Sequence, residues 1–154
     1  EDSTQNSRTK QWQLEFWKAF REELLKTKQF TSAQPRARHY FNIPLGKTGI
    51  YLSNVVNIAS ERIGVRLYIR SKIVEQVFPQ IEAQKEGIEK SIGQTLQWNA
   101  SSTNKDKTVG FYLDANMDQK ENWPKYIEWL VDYTLRFERT FRDVIKTIAI
   151  HEED

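Results

Sequence analysis

The chain has 154 residues, 38 % of them hydrophobic and 12 % aromatic, enough to bury one sizeable core and too few for two full domains. It contains no cysteine, which excludes a disulfide framework, a thiolate nucleophile and a zinc–sulfur site, and no apolar run approaches the roughly eighteen residues of a membrane-spanning helix. The formal net charge of +2 divides into +6 over residues 1–77 (thirteen Lys/Arg, seven Asp/Glu) and −4 over residues 78–154 (ten against fourteen).

Residues 1–9 are polar and read as a linker or a trimmed end, residues 10–150 as one domain, and residues 151–154 as an acidic tail. From Lys10 to Lys28, Phe16, Phe20 and Leu24 recur every four positions with Leu14, Trp17 and Leu25 beside them, which predicts an amphipathic helix. After the break at Gln29–Arg38 the period changes: His39, Phe41, Ile43 and Leu45 alternate as in a strand. Gly46-Lys47-Thr48-Gly49 has turn chemistry, and Ile50, Leu52, Asn54, Val56 and Ile58 alternate beyond it, so a hairpin is expected. A third strand places Ile63, Val65, Leu67 and Ile69 on one face and Arg66, Tyr68 and Arg70 on the other.

Ser71 is a candidate cap for a helix carrying Ile73, Val74, Val77, Ile81, Ile88 and Ile92, with Gly93 as its stop. Pro79 removes an amide donor and clashes with the preceding turn, which predicts a kink near Val77 or a short helix followed by a longer one. Leu96 and Trp98 alternate with Gln97 and Asn99, and a polar loop from Ala100 to Lys107 leads to Val109, Phe111 and Leu113, which predicts a second hairpin. Asn122 is a candidate cap for the last helix, Pro124 lies in its first turn, and Ile127, Leu130, Thr134, Phe137, Phe141, Val144 and Ile148 step by three and four over about 25 residues. The fold class is therefore α+β: a mainly antiparallel five-stranded sheet with helices packed on it, in the order α-β-β-β-α-β-β-α.

The chemistry of the chain is mostly that of binding. Gly46-Lys47-Thr48-Gly49 resembles the end of a phosphate-binding loop, but it lies between strands and Phe41 occupies the position of the earlier glycine, so the turn reading holds. A metal-dependent nuclease gathers carboxylates and a lysine on a strand, whereas the three central strands carry no internal acid. The grouping Asp114, Asp118 and Lys120 falls after the last strand and reads as a solvated loop. His39 and His151 have no nucleophile motif beside them. No catalytic residue, metal ligand or cofactor is expected.

Between Lys26 and Lys72 only Glu61 opposes Lys26, Lys28, Arg36, Arg38, Lys47, Arg62, Arg66, Arg70 and Lys72, a segment suited to phosphate or an acidic partner, or simply solvated. If the alternation is right, Tyr40, Asn42, Tyr51, Ser53, Asn57, Arg66, Tyr68, Arg70, Gln97, Asn99 and Tyr112 project from the polar sheet face. Rings stack on bases while arginines hold phosphates; equally, any antiparallel sheet has a polar outer face that a helix can cover. The candidate nucleic-acid-binding residues are Arg36, Arg38, Lys47, Tyr51, Arg66, Tyr68, Arg70 and Lys72. On the last helix Tyr126, Trp129 and Tyr133 form a second stripe beside the apolar seam, a candidate partner-binding surface or part of one broad buried face.

An ordered set of segments carries a resemblance: Phe16-Trp17-Lys18-Ala19-Phe20; Asn42-Ile43-Pro44-Leu45-Gly46-Lys47-Thr48-Gly49-Ile50-Tyr51-Leu52; Arg62-Ile63-Gly64-Val65-Arg66-Leu67-Tyr68-Ile69; Lys85-Glu86-Gly87-Ile88-Glu89; and Asn122-Trp123-Pro124. Over Gln11 to Phe141 the chain resembles the prokaryotic domain of unknown function family numbered 4268. That resemblance implies the C-terminal part of a longer protein with an N-terminal PD-(D/E)XK-type nuclease, in restriction or genome maintenance, and carries over no catalytic residue. The expectation is a cytoplasmic, non-catalytic accessory module that binds nucleic acid through the basic, tyrosine-containing sheet face, with a nuclease domain or a second copy as protein partner and no membrane. The alternatives are a homodimerisation or protein-interaction module using the last helix, and a degenerate or unusual nuclease.

Overall fold

In the computed structural model of the chain, residues 2–27, 33–98 and 105–151 are described, with side chains from residue 6 onward. Helix α1 (Asp2–Lys26) comes first, followed by strands β1 (Tyr40–Lys47), β2 (Ile50–Asn57) and β3 (Arg62–Ile69). Helices α2 (Ser71–Glu82) and α3 (Lys85–Ile92) lead to the short β4 (Gln97–Trp98), then β5 (Lys107–Asp114) and, after a single 3-10 turn, α4 (Trp123–Lys146). The strands form one antiparallel sheet in the order β1-β2-β3-β5-β4. This is the expected α+β class and element order.

The register aligns Ile43 with Leu52, Leu52 with Leu67 and Leu67 with Val109, so alternation puts the apolar residues of all these strands on one face. Phe137 and Phe141 of α4 and Phe16, Trp17 and Phe20 of α1 are fully buried in the core. Trp17 and Phe20 meet Phe41 of β1 with ring centroids 5.6 and 5.5 Å apart. α4 packs on β1, β2 and β3, α1 lies beside α4, and α2 covers β3 and β5. One polar pair interrupts this face: Thr134 Oγ1 donates to Asn54 Oδ1 at 2.8 Å, both residues being buried.

Three boundaries differ from the sequence reading. α1 begins at Asp2 rather than Lys10, through the stretch read as a linker; adding turns to an existing helix costs little, and Arg8 ties these turns down by pairing with Asp118 at 2.9 Å and lying 4.2 Å from the Trp12 ring centroid. Its expected end at Lys28 lies outside the described residues, as do Asn99 and most of the loop after it. The helix with Pro79 breaks after the proline, at Ala83–Gln84, and the longer piece comes first. Pro79 and Glu75 lie on the exposed side of α2, where a carbonyl left without its helical partner costs least, while buried Val77 and Ile81 hold this turn on the sheet. Finally, Ser71 is the first helical residue rather than the cap; the Asp106 carboxylate, from the residue before β5, accepts the Ser71 N–H at 2.7 Å and does the capping. Gly93 ends α3 as expected, at φ 87°, a left-handed conformation glycine tolerates without strain.

Candidate nucleic-acid interface

The side of the sheet away from the helices carries a groove of about 310 Å³ lined by His39, Tyr40, Asn42, Tyr51, Ser53, Arg66, Tyr68 and Arg70. Every lining residue comes from β1, β2, β3 or the residues flanking them. Tyr51 and Tyr68 are register partners, and their rings stack at 5.1 Å with 13° between planes. The Arg66 guanidinium lies 5.2 Å from the Tyr68 centroid and that of Arg70 5.8 Å from Tyr51. Arg38 donates to Tyr40 Oη at 3.1 Å, and its backbone is held from the far side by the Trp17 indole N–H, which donates to the Arg38 carbonyl at 2.8 Å.

The groove is positive by construction. Among the described residues, Arg38, Arg62, Arg66 and Arg70 make no ion pair, and their guanidinium charges lie against aromatic rings, a favourable but weak arrangement that leaves N–H donors for a ligand. Arg66 Nη2 reaches Ser53 Oγ at 3.5 Å, while Arg66 Nε and Asn42 Oδ1 are buried with no hydrogen-bond partner among the described residues. Loss of solvent and the Arg66 charge hold the His39 imidazole below its ordinary pKa, which favours its neutral form. Tyr68 donates its hydroxyl to Asp106. Burial first, and then that bond, push the Tyr68 pKa up to about 12, so the ring stays uncharged beside the arginines. The carboxyl of Asp106 is held below the usual range, chiefly by the same bond.

Of the candidate binding residues, the fold brings Arg38, Tyr51, Arg66, Tyr68 and Arg70 together. Arg36 is exposed two residues before Arg38, and Lys72 is exposed in the first turn of α2; neither lines the groove. Lys47 is engaged elsewhere: its ammonium donates to the Ile145 and Ile148 carbonyls at 3.3 and 3.2 Å, where a cation suits the C-terminal end of α4. The charge run thus includes one lysine that serves the fold. Asp118 and Lys120 do not converge with Asp114 on a site, for they pair with Arg8 and Glu15 of α1. Among the described residues no cluster of three or more His, Asp or Glu could hold a metal.

The aromatic stripe of α4 packs within the chain. Trp129 stacks on Phe111 at 5.5 Å, and Tyr133 lies 4.8 Å from the same ring and accepts the Gln94 side-chain amide at 2.8 Å. Tyr126 accepts the Asn116 N–H at 3.2 Å. Sequence reasoning also passed over Arg62 as part of the face, although its guanidinium lies 4.3 Å from the Tyr112 centroid; the alternation that marked Arg66 and Arg70 extends back to it.

Among the described residues, no helix is long and apolar enough to cross a membrane. A family model, the domain of unknown function DUF4268, matches residues 12–145, most of the chain, and the protein belongs to that family. Neither a curated protein nor a solved structure matches it.

Proposed function

We propose that this member of the DUF4268 family is a non-catalytic module that binds nucleic acid across the helix-free face of its sheet. The observation that carries the reading is the pair Arg66 and Arg70, laid against tyrosine rings in one groove, with Arg38 on Tyr40 at its edge and, among the described residues, no carboxylate ion-paired to any of the three. Such cations attract a polyanion by displacing its counterions, and the adjoining rings offer bases an apolar surface that hydrated phosphate alone would not use. The resemblance to nuclease-associated proteins adds a setting in which this module would hold the nucleic acid while a separate domain cuts it.

The test is binding of a labelled oligonucleotide, followed by anisotropy across a salt series. Affinity should fall steeply as salt rises, and Arg66→Ala with Arg70→Ala should weaken binding and flatten the log–log salt slope by about 1 for each phosphate that is no longer neutralised. Circular dichroism should show the double variant folded, since both side chains project away from the core. Unchanged affinity in that folded variant removes the groove from the proposal.

A further inference from the structure

Beside the groove lies a ring that it does not include. Tyr112 of β5 stands opposite Gly64 of β3, and Gly110 precedes it on the same face of its own strand. A Cβ on Gly64 would come within 2.2 Å of Tyr112 Cδ1, and one on Gly110 within 2.7 Å of Tyr112 Oη. The ring therefore spans both glycines and lies across the sheet, where a standing ring would meet neither. One face rests on the backbone; the other is turned outward beneath the Arg62 guanidinium, 4.3 Å from the ring centroid. Glycine inside a strand weakens it and marks a place where something approaches the backbone closely.

The placement continues along β3. Arg62, Arg66 and Arg70 recur every fourth residue, about 13 Å apart at ~3.3 Å per residue. Tyr112 covers the level of Gly64, between the first two arginines, and the stacked Tyr51 and Tyr68 occupy the level between Arg66 and Arg70. Cations and ring faces thus alternate in one row, as phosphates and bases do along an unpaired strand. Resting on the nucleic-acid reading above, we propose that the face takes single-stranded nucleic acid: an unpaired base stacks on the outward face of Tyr112 in place of the Arg62 guanidinium, which swings from the ring to a neighbouring phosphate, while Arg66 and Arg70 meet the phosphates farther along.

Duplex fits this surface poorly. Its bases already stack on one another and offer no free π-face. Five strands about 4.8 Å apart span about 19 Å, too broad for a major groove about 12 Å wide that admits a two-stranded ribbon. Sheets that open the minor groove drive apolar wedges between base steps, and the one exposed large hydrophobic among the described residues is Leu25, on α1.

Three probes of equal length separate the possibilities in an anisotropy titration of the chain: oligo-dT, the same strand made abasic, and a duplex. Oligo-dT should bind about tenfold or more tightly than the abasic strand, the size of one to two base–ring stacks, and more tightly than the duplex. Tyr112→Leu, which still covers the two glycines, should lose about tenfold for oligo-dT and nothing for the abasic strand; Tyr112→Phe should behave as the unaltered chain. Equal affinity for dT and abasic strands, tighter binding of duplex, or a Leu variant that keeps its preference overturns the platform and leaves phosphate binding by Arg66 and Arg70 intact. Absence of binding by all three probes removes the nucleic-acid reading as well. If the Leu variant does not fold, the Tyr112 ring resonances of the unaltered chain decide: an upfield shift on adding dT and none with the abasic strand supports the platform, and no shift with either overturns it.

Discussion

On the helix side of the sheet, Ile43, Leu52, Val65, Leu67 and Val109 are closed over by α1, α2 and α4; on the other side the same strands carry Tyr51, Ser53, Arg66, Tyr68 and Tyr112, and among the described residues no helix packs over them. Yet the second face is not bare. Ser53 is 1 % exposed and Val55 8 %, hidden beneath their own neighbours, because tyrosine rings and the methylene stems of arginine cover apolar surface while leaving a polar tip in water. One side is sealed by another layer of secondary structure, the other by side chains alone, and side chains can move aside for a ligand where a packed helix cannot. That asymmetry puts most of the stability on one face and the available cations on the other.

The contrast between the faces breaks most visibly at α4. Phe137 and Phe141 are fully buried, with ring centroids 5.6 Å apart, so truncating either to Ala should cost about 3 to 5 kcal/mol in a denaturant titration. A loss as small as that of a surface substitution, within about 0.5 kcal/mol, would mean that the helix side does not carry the core. On the opposite face the largest effect should come from adding volume. Gly64→Ala places a methyl against Tyr112 and the Phe111 carbonyl, an overpacking cost of about 1 to 3 kcal/mol, and Tyr112→Leu in the same chain should recover part of it. Equal costs in the single and double variants would show that the ring does not lie on Gly64.

A smaller effect tests the polar pair inside the apolar face. Thr134→Val removes the donor to Asn54 Oδ1, while Asn54 Nδ2 already has no partner among the described residues, so the variant should lose about 1 to 3 kcal/mol for a buried acceptor left unmade. Replacing Asn54 by Leu in that background should return most of it, since removing both partners of a buried hydrogen bond is close to neutral. If the double variant is as unstable as the single, packing at Asn54 rather than its polarity governs the site.

The periodicities that separate these faces were legible in the residues themselves. Ile63, Val65, Leu67 and Ile69 alternate so regularly that β3 and both of its faces could be drawn in advance, and the three-and-four steps from Ile127 to Ile148 marked the core side of α4 because burial is what such spacing records. What stayed hidden depends on where strands sit beside each other. Gly64 and Gly110 are unremarkable alone; only the pairing of β3 with β5 puts Tyr112 over both. Lys47 looked like one more cation in a basic run, because nothing local shows that the end of α4 comes back to it. The break between α2 and α3 was misplaced for a related reason: Pro79 signals a weakened helix, but buried Val77 and Ile81 decide which side of it gives way. The capping role of Asp106 joins residues 35 apart in sequence and likewise awaits the fold.

The smallest effect belongs to the boundary of the open face, at Tyr68. Its pKa, pushed up to about 12 by burial and then by the bond to Asp106, lies above the ordinary value of about 10. A folded-state pKa raised in this way favours the folded chain fully below pH ~10, and that contribution is lost as the pH rises from about 10 toward 12, because the unfolded chain gives up the proton first. Phenolate absorbance should therefore show a late-ionising step from Tyr68, and Tyr68→Phe should abolish it. Asp106→Asn should bring the step only part of the way back, since burial is the larger cause and remains. It should also weaken the cap on Ser71, where the N–H of the first helical residue meets a carboxylate at 2.7 Å, at a cost of about 1 kcal/mol. A late tyrosine that persists in Tyr68→Phe, or that is indifferent to Asp106→Asn, would place the perturbed ring elsewhere and detach the groove from the loop before β5.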